Sequence, residues 1–220
     1  MKIFNETKER YAIKDLEIND LSRRKYCVFD LEATGLDYNN EYITQIGAVI
    51  VENGKIDYAN VFNMLVKSPK PIPPEIERLT SITNSRISEA PPFAEAFNSF
   101  KEFAGDAVLV SQCGFEFDFH LLKKECERNH LDCLSNSILD TKVLYAAIHR
   151  DREDTYSTDF LLKNYQIYSK DVPRHDALGD SILIGRMLIE ILGEYEARGI
   201  DSLVINEELV IKKFIPKPLV

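Results

Sequence analysis

The chain has 220 residues, with 27 Lys and Arg against 36 Asp and Glu, a formal charge of −9, and a hydrophobic share of 45%. That balance belongs to a globular protein with a buried core, which excludes wholesale disorder, and the length suits one domain with appendages. A pI near 5.1 argues against a protein that coats nucleic acid nonspecifically, but not against an enzyme that gathers carboxylates at one site.

In chain order, residues 5–25 are polar, with Tyr11, Ile13, Leu16, Ile18 and Leu21 at irregular spacing. They read as a helical or loop appendage ending in Arg23-Arg24-Lys25. Residues 26–32 form a short apolar run typical of a buried strand, and residues 43–51 a second one. Asn53-Gly54 supplies a hairpin turn into a third strand over 58–66, so the chain opens with an antiparallel meander. A Pro-rich stretch, 68–74, then leads to a short helix over 74–79 with Pro74 in its first turn.

Pro91-Pro92 precedes a helix to about residue 103, with Phe93, Ala96, Phe97 and Phe100 as its apolar stripe. A fourth strand is predicted at 107–110, followed by a helix over 117–129. A fifth strand falls near 137–139, and helices follow over 141–149 and 157–165. The last helix spans 176–192, with Leu178, Ile182, Gly185, Ile189 and Leu192 along one face. The pattern is an α/β domain over 26–193, a mixed five-stranded sheet flanked by helices. Residues 1–25 form an N-terminal appendage and 194–220 a tail, either of which could serve a homodimer or partner contact.

No apolar run approaches the ~18 residues of a membrane span, and residues 1–17 lack the apolar stretch of a secretory signal. A cytoplasmic protein with free thiols at Cys27, Cys113, Cys126 and Cys133 is expected. Cys126, His130 and Cys133 lie close in sequence, but without further zinc ligands a helix end with small buried thiols explains them better.

The sharpest local feature is Phe29-Asp30-Leu31-Glu32-Ala33-Thr34-Gly35-Leu36. Side chains alternate along a strand, so Asp30 and Glu32 point to one face, at the carboxyl end where sheet sites form. Neighbouring, partly buried carboxylates repel each other and lose hydration, penalties that a divalent cation such as Mg²⁺ or Mn²⁺ offsets. Asp118 stands where the fourth strand passes into a helix, with Leu121 and Leu122 turned to the core. Glu116 is an alternative acid there, and helix capping would also explain Asp118.

In Arg174-His175-Asp176-Ala177-Leu178-Gly179-Asp180, five helical residues rotate by about 140°. His175 and Asp180 therefore converge only if His175 lies on the loop feeding the helix. A histidine beside an acidic site suits general-base catalysis. Asp176 and Asp140 are adequately explained as helix N-caps.

Together these segments resemble the DEDDh 3′–5′ exonucleases, the family of the proofreading epsilon subunit of bacterial DNA polymerase III. The D-x-E-x-T-G motif of that family is matched by Asp30, Glu32, Thr34 and Gly35, and its F-D-x-x-F-L segment by Phe117, Asp118, Leu121 and Leu122. H-x-x-x-x-D is matched by His175 and Asp180. Gln45-Ile46-Gly47-Ala48 and Leu79-Thr80-Ser81-Ile82-Thr83 are similar to family stretches, with Ser81 where Gly is usual. Ser111-Gln112-Cys113-Gly114 departs from the His-Asn-Ala often found before the second Asp.

The resemblance implies an RNase H-like fold. It also implies two divalent ions, Mg²⁺ or Mn²⁺, held by Asp30, Glu32, Asp118 and Asp180, with Asp30 bridging and His175 as base. Thr34, Gly35, Leu36 and Leu79 would contact the substrate. Single-stranded DNA or RNA would be shortened from its 3′ end to nucleoside 5′-monophosphates. A catalytically inactive binding module of the same fold is the alternative; an HD-type phosphohydrolase would need further histidines beside acids.

Overall fold

The computed structural model describes residues 1–152 and 154–215. The chain opens with strands β1 (Lys2–Phe4), β2 (Arg10–Lys14) and β3 (Leu16–Asn19). The meander follows as β4 (Tyr26–Ala33), β5 (Ile43–Glu52) and β6 (Lys55–Leu65). Then come α1 (Pro74–Thr80), α2 (Asn84–Ser88), α3 (Phe93–Ala104), β7 (Val108–Ser111) and α4 (Asp118–Arg128). The chain continues through β8 (Ile138–Asp140), α5 (Thr141–Ile148), α6 (Thr158–Asn164) and α7 (Ala177–Ala197), to β9 (Ser202–Ile205) and β10 (Leu209–Lys212).

The central sheet has the order β6-β5-β4-β7-β8. β4, β5 and β6 pair antiparallel as the meander predicts, whereas β7 joins β4, and β8 joins β7, in parallel. Strand alternation sorts the core into two layers. Tyr26 and Val28 of β4 face a cluster with Val143, Leu144, Ile184 and Leu188, while Cys27, Phe29 and Leu31 face Phe97, Phe100 and Leu121. Asp30 and Glu32 have the parity of Tyr26 and Val28, so they continue the α5–α7 layer past the end of its apolar packing.

The expectation of a helix or loop over residues 5–25 is corrected. β2 pairs with β1 and β10, and β3 pairs with β9, all antiparallel. Tyr11, Ile13, Leu16 and Ile18 are buried there against Leu203, Ile205, Leu209 and Ile211. Apart from the short β1, their partner strands lie at the far end of the chain, where local periodicity could not announce them. The expected tail beyond residue 194 likewise contains the end of α7 and two strands before residues 216–220, which lie outside the described residues.

A second correction concerns the buried face of α7. Leu178, Ile182, Ile189 and Leu192 are only half-buried, whereas Ile184, Leu188, Ile191 and Tyr195 are sealed in the core. The helix is apolar over most of its circumference because it packs on the sheet and also touches α5 and α6, so periodicity alone could not choose the stripe. Among the described residues, no helix is long and apolar enough to cross a membrane.

Candidate active site

Asp30 and Glu32 stand at the carboxyl end of β4, where the pairing with β5 shifts register between Glu32 and Ala33. Such irregularities re-aim side chains at the margin of a sheet. Asp180 reaches the same place from the first turns of α7. One ligand oxygen from each of Asp30, Glu32 and Asp180 lies within 4.8 Å of the others, and among the described residues this is the group of acids that could hold a cation. All the donors are hard carboxylate oxygens, which fit a divalent ion of the Mg²⁺ or Mn²⁺ type.

Two contacts at β5 fix the approach of α7. Gln45 accepts from the Ala177 N–H at 3.1 Å and donates from Nε2 to Asp176 at 3.1 Å. Asp176 also accepts from the Gly179 N–H at 3.0 Å, the N-cap role expected for it. A Cβ at Gly47 would lie 2.1 Å from the Ala177 carbonyl carbon, so only glycine permits this backbone approach. The helix start is thereby pressed onto the sheet, and Asp180 is brought to Asp30.

His175 lies on the loop before α7, as its convergence with Asp180 requires. It is exposed, with φ 56°, and its N–H donates to Asp180 Oδ2 at 2.7 Å. Arg174, which the sequence reading did not assign to the site, donates from Nε to Asp180 Oδ1 at 2.8 Å and from Nη1 to Asp159 at 2.8 Å. Its place immediately before His175 was the available signal.

Asp118 opens α4, is 5% exposed, and accepts a hydrogen bond from the buried Ser111 hydroxyl. It lines the same cleft as Asp30, Glu32, Asp180 and His175, although it lies outside the closest trio. Glu116 is committed elsewhere: its carboxylate pairs with Lys142 Nζ at 2.6 Å, and that lysine is fully buried. Of the two acids, Asp118 is the one that lines the cleft. Asp140 caps α5 through the Lys142 N–H at 2.8 Å and also accepts from the Cys113 and Phe115 N–H groups. This secures the 111–117 loop.

Crowding shows in the acidities. Burial, then the charges of Asp118, Asp180 and Glu32, hold Asp30 well above the ordinary carboxylate range. Burial, then Asp180 and Asp118, push Glu32 up to about 8. Burial raises Asp118 to about 7 against the opposing Ser111 hydrogen bond. A divalent cation would relieve all three.

Gly35, Leu36 and Leu79 line the cleft, whose volume of about 430 Å³ is sufficient for a small ligand. Thr34 departs from its expected substrate contact. It is fully buried, donating from Oγ1 to Glu41 and accepting from the Tyr42 N–H at 3.0 Å. It braces the 34–42 turn that carries Gly35 and Leu36. Ser81 stands just after α1 with φ 59°, the left-handed conformation that glycine adopts most easily. Cys126 is buried while His130 and Cys133 are exposed, and they form no metal cluster among the described residues.

A family model for exonucleases, RNase_T, matches residues 27–188. A DNA polymerase III PolC-type protein of Latilactobacillus sakei is 31% identical over 196 residues, covering 89% of this chain and 13% of its own length. A DNA polymerase III subunit epsilon-like protein of Rhodobacter capsulatus is 33% identical over 184 residues, covering 83% of this chain and 26% of its own. The chain thus spans only 13% to 26% of these relatives. Among solved structures, the nuclease domain of 3′hExo, described as a DEDDh family member bound to rAMP, superposes with a TM-score of 0.70 at 18% identity. That match covers 86% of this chain and 98% of the other. The fold is accordingly the RNase H-like exonuclease fold, and the chain belongs to the exonuclease family described by that model.

Proposed function

We propose that this chain is a metal-dependent nuclease that shortens single-stranded DNA or RNA from the 3′ end and releases nucleoside 5′-monophosphates. The observation that carries this reading is the convergence of Asp30, Glu32 and Asp180 within 4.8 Å, in one cleft with Asp118 and His175. Like charges are gathered there without enough protein cations to balance them.

Asp30, Glu32, Asp118 and Asp180 would hold two divalent ions, Mg²⁺ or Mn²⁺. Once bound, such ions acidify a water and neutralise charge on the scissile phosphate and leaving oxygen. His175, on its exposed loop, takes the proton of the attacking water. Leu36 and Leu79 give the terminal nucleotide an apolar wall, and Gly35 lets the strand approach the backbone. The 34–42 turn, braced by Thr34, keeps this wall in place.

The test uses 5′-labelled single-stranded DNA and RNA of one sequence, incubated with Mg²⁺ or Mn²⁺. The expected result is a ladder that shortens from the 3′ end and disappears with EDTA. Absence of shortening of both strands in both metals, by protein that melts cooperatively, would overturn the reading.

A further inference from the structure

Phe214 follows β10 and lies beyond the stretch matched by the exonuclease family model. It nevertheless lines the same cleft as Asp30, Asp118 and Asp180. The residue is 52% exposed rather than packed into the core. Nor is it a loose end. Its N–H donates to Glu116 Oε2 at 2.9 Å, and Glu116 Oε1 is gripped by the buried Lys142 ammonium at 2.6 Å. One residue earlier, the Lys213 N–H donates to the Glu9 carbonyl at 2.7 Å, and Lys213 Nζ pairs with Glu6 at 2.6 Å.

The backbone that carries this apolar ring is thus held from two sides beside an acidic cleft. Burying a lysine and a glutamate is costly unless they are well paired, and the remaining oxygen of this pair is spent on the backbone of Phe214. We propose that Phe214 is a stacking platform for a nucleobase of the bound strand, supplied by the terminal strands to the site of the exonuclease domain. This rests on the nuclease reading above. The chemistry suits it, because every base has a π-face, so an aromatic platform holds a single strand without reading its sequence. A base stacked there would bring the backbone of the strand toward the carboxylates.

The experiment compares the wild-type chain with Phe214→Ala, Phe214→Leu and Phe214→Trp. Steady-state cleavage of a short single-stranded DNA is measured in Mg²⁺. Stopped-flow fluorescence of strands with 2-aminopurine at successive positions from the 3′ end is recorded before cleavage. For Phe214→Ala the expected KM is about tenfold higher with kcat within about twofold, in keeping with the loss of one base stack. Phe214→Trp should restore KM and Phe214→Leu should not. One 2-aminopurine position should be quenched by the wild type and released by Phe214→Ala.

The proposal is overturned if Phe214→Ala leaves KM and fluorescence unchanged while the wild type cleaves. It is equally overturned if Phe214→Ala raises kcat at constant KM, which would make the ring a plug. If the wild type neither quenches nor cleaves DNA or RNA strands in Mg²⁺ or Mn²⁺, the nuclease reading falls and takes the platform with it.

Discussion

Glu116 and Asp118 are two residues apart, yet they belong to opposite electrostatic regimes. Glu116 is neutralised by a buried lysine at 2.6 Å and serves to hold the C-terminal strand segment. Asp118 joins Asp30, Glu32 and Asp180 around a cleft where acids crowd together and the carboxyls of Asp30, Glu32 and Asp118 hold their protons more tightly. The difference separates architecture from chemistry: a compensated buried charge is a fastener, whereas an uncompensated cluster is stable only with a ligand of the other sign.

The largest effect that sharpens this comparison is expected from Asp30→Asn. Cleavage should fall by about a thousandfold or more, as for loss of a group that stabilises the transition state. In EDTA near pH 8 the same variant should be more stable than wild type, by ~1 kcal/mol in urea titrations, since it removes a buried carboxyl whose ionisation folding opposes. A loss of stability would mean that Asp30 is compensated in the metal-free protein and that the contrast with Glu116 is false.

Glu116→Ala should act in the reverse sense. It leaves the Lys142 ammonium buried and unpaired, and urea unfolding should register a loss of about 3 kcal/mol. The Glu116→Gln, Lys142→Met pair should recover much of it. Equal behaviour of the single and double variants would show that the ion pair is not what fastens this region.

The pH dependence of the metal-free protein provides the third test. A carboxyl whose folded pKa is raised holds its proton better when folded. Its contribution is full below the unfolded value, ~4, and is lost as pH rises through the folded value. With Asp118 at about 7 and Glu32 at about 8, the melting temperature in EDTA should fall between pH 4 and pH 8. A drop of about 5 °C or more is expected. Added Mg²⁺ or Mn²⁺ should raise the melting point more at pH 8 than at pH 5. A melting point that climbs over this range would contradict the crowding.

The smallest effect belongs to Arg174, the cation now resting on Asp180. Its side chain is partly exposed, so the pair is weak. Arg174→Gln should tighten Mn²⁺ binding by no more than about fivefold in calorimetric titrations. Weaker binding would mean that Arg174 orients Asp180 rather than competing for it.

Much of the site could be read without coordinates because it depends on short-range geometry. The two-residue period of β4 puts Asp30 and Glu32 on one face, and the loop before α7 lets His175 meet Asp180. The N-caps at Asp140 and Asp176 are equally local, formed with backbone groups within a few residues. Thr34 shows where motif position misleads. Its place beside Gly35 suggested a substrate contact, but its hydroxyl is spent on Glu41 and Tyr42, contacts set by how the turn closes.

By itself, then, the sequence determined the α/β order of elements over residues 26–192, the antiparallel meander and the shared strand face of Asp30 and Glu32. Tertiary structure alone decided that residues near the two ends of the chain pair as strands, that Asp118 rather than Glu116 lines the cleft, and that Phe214 lines it too. The reason is physical. Alternation and capping are imposed by neighbouring residues, whereas strand partners and charge partners are chosen among segments far apart in the chain, by packing that exists only after folding.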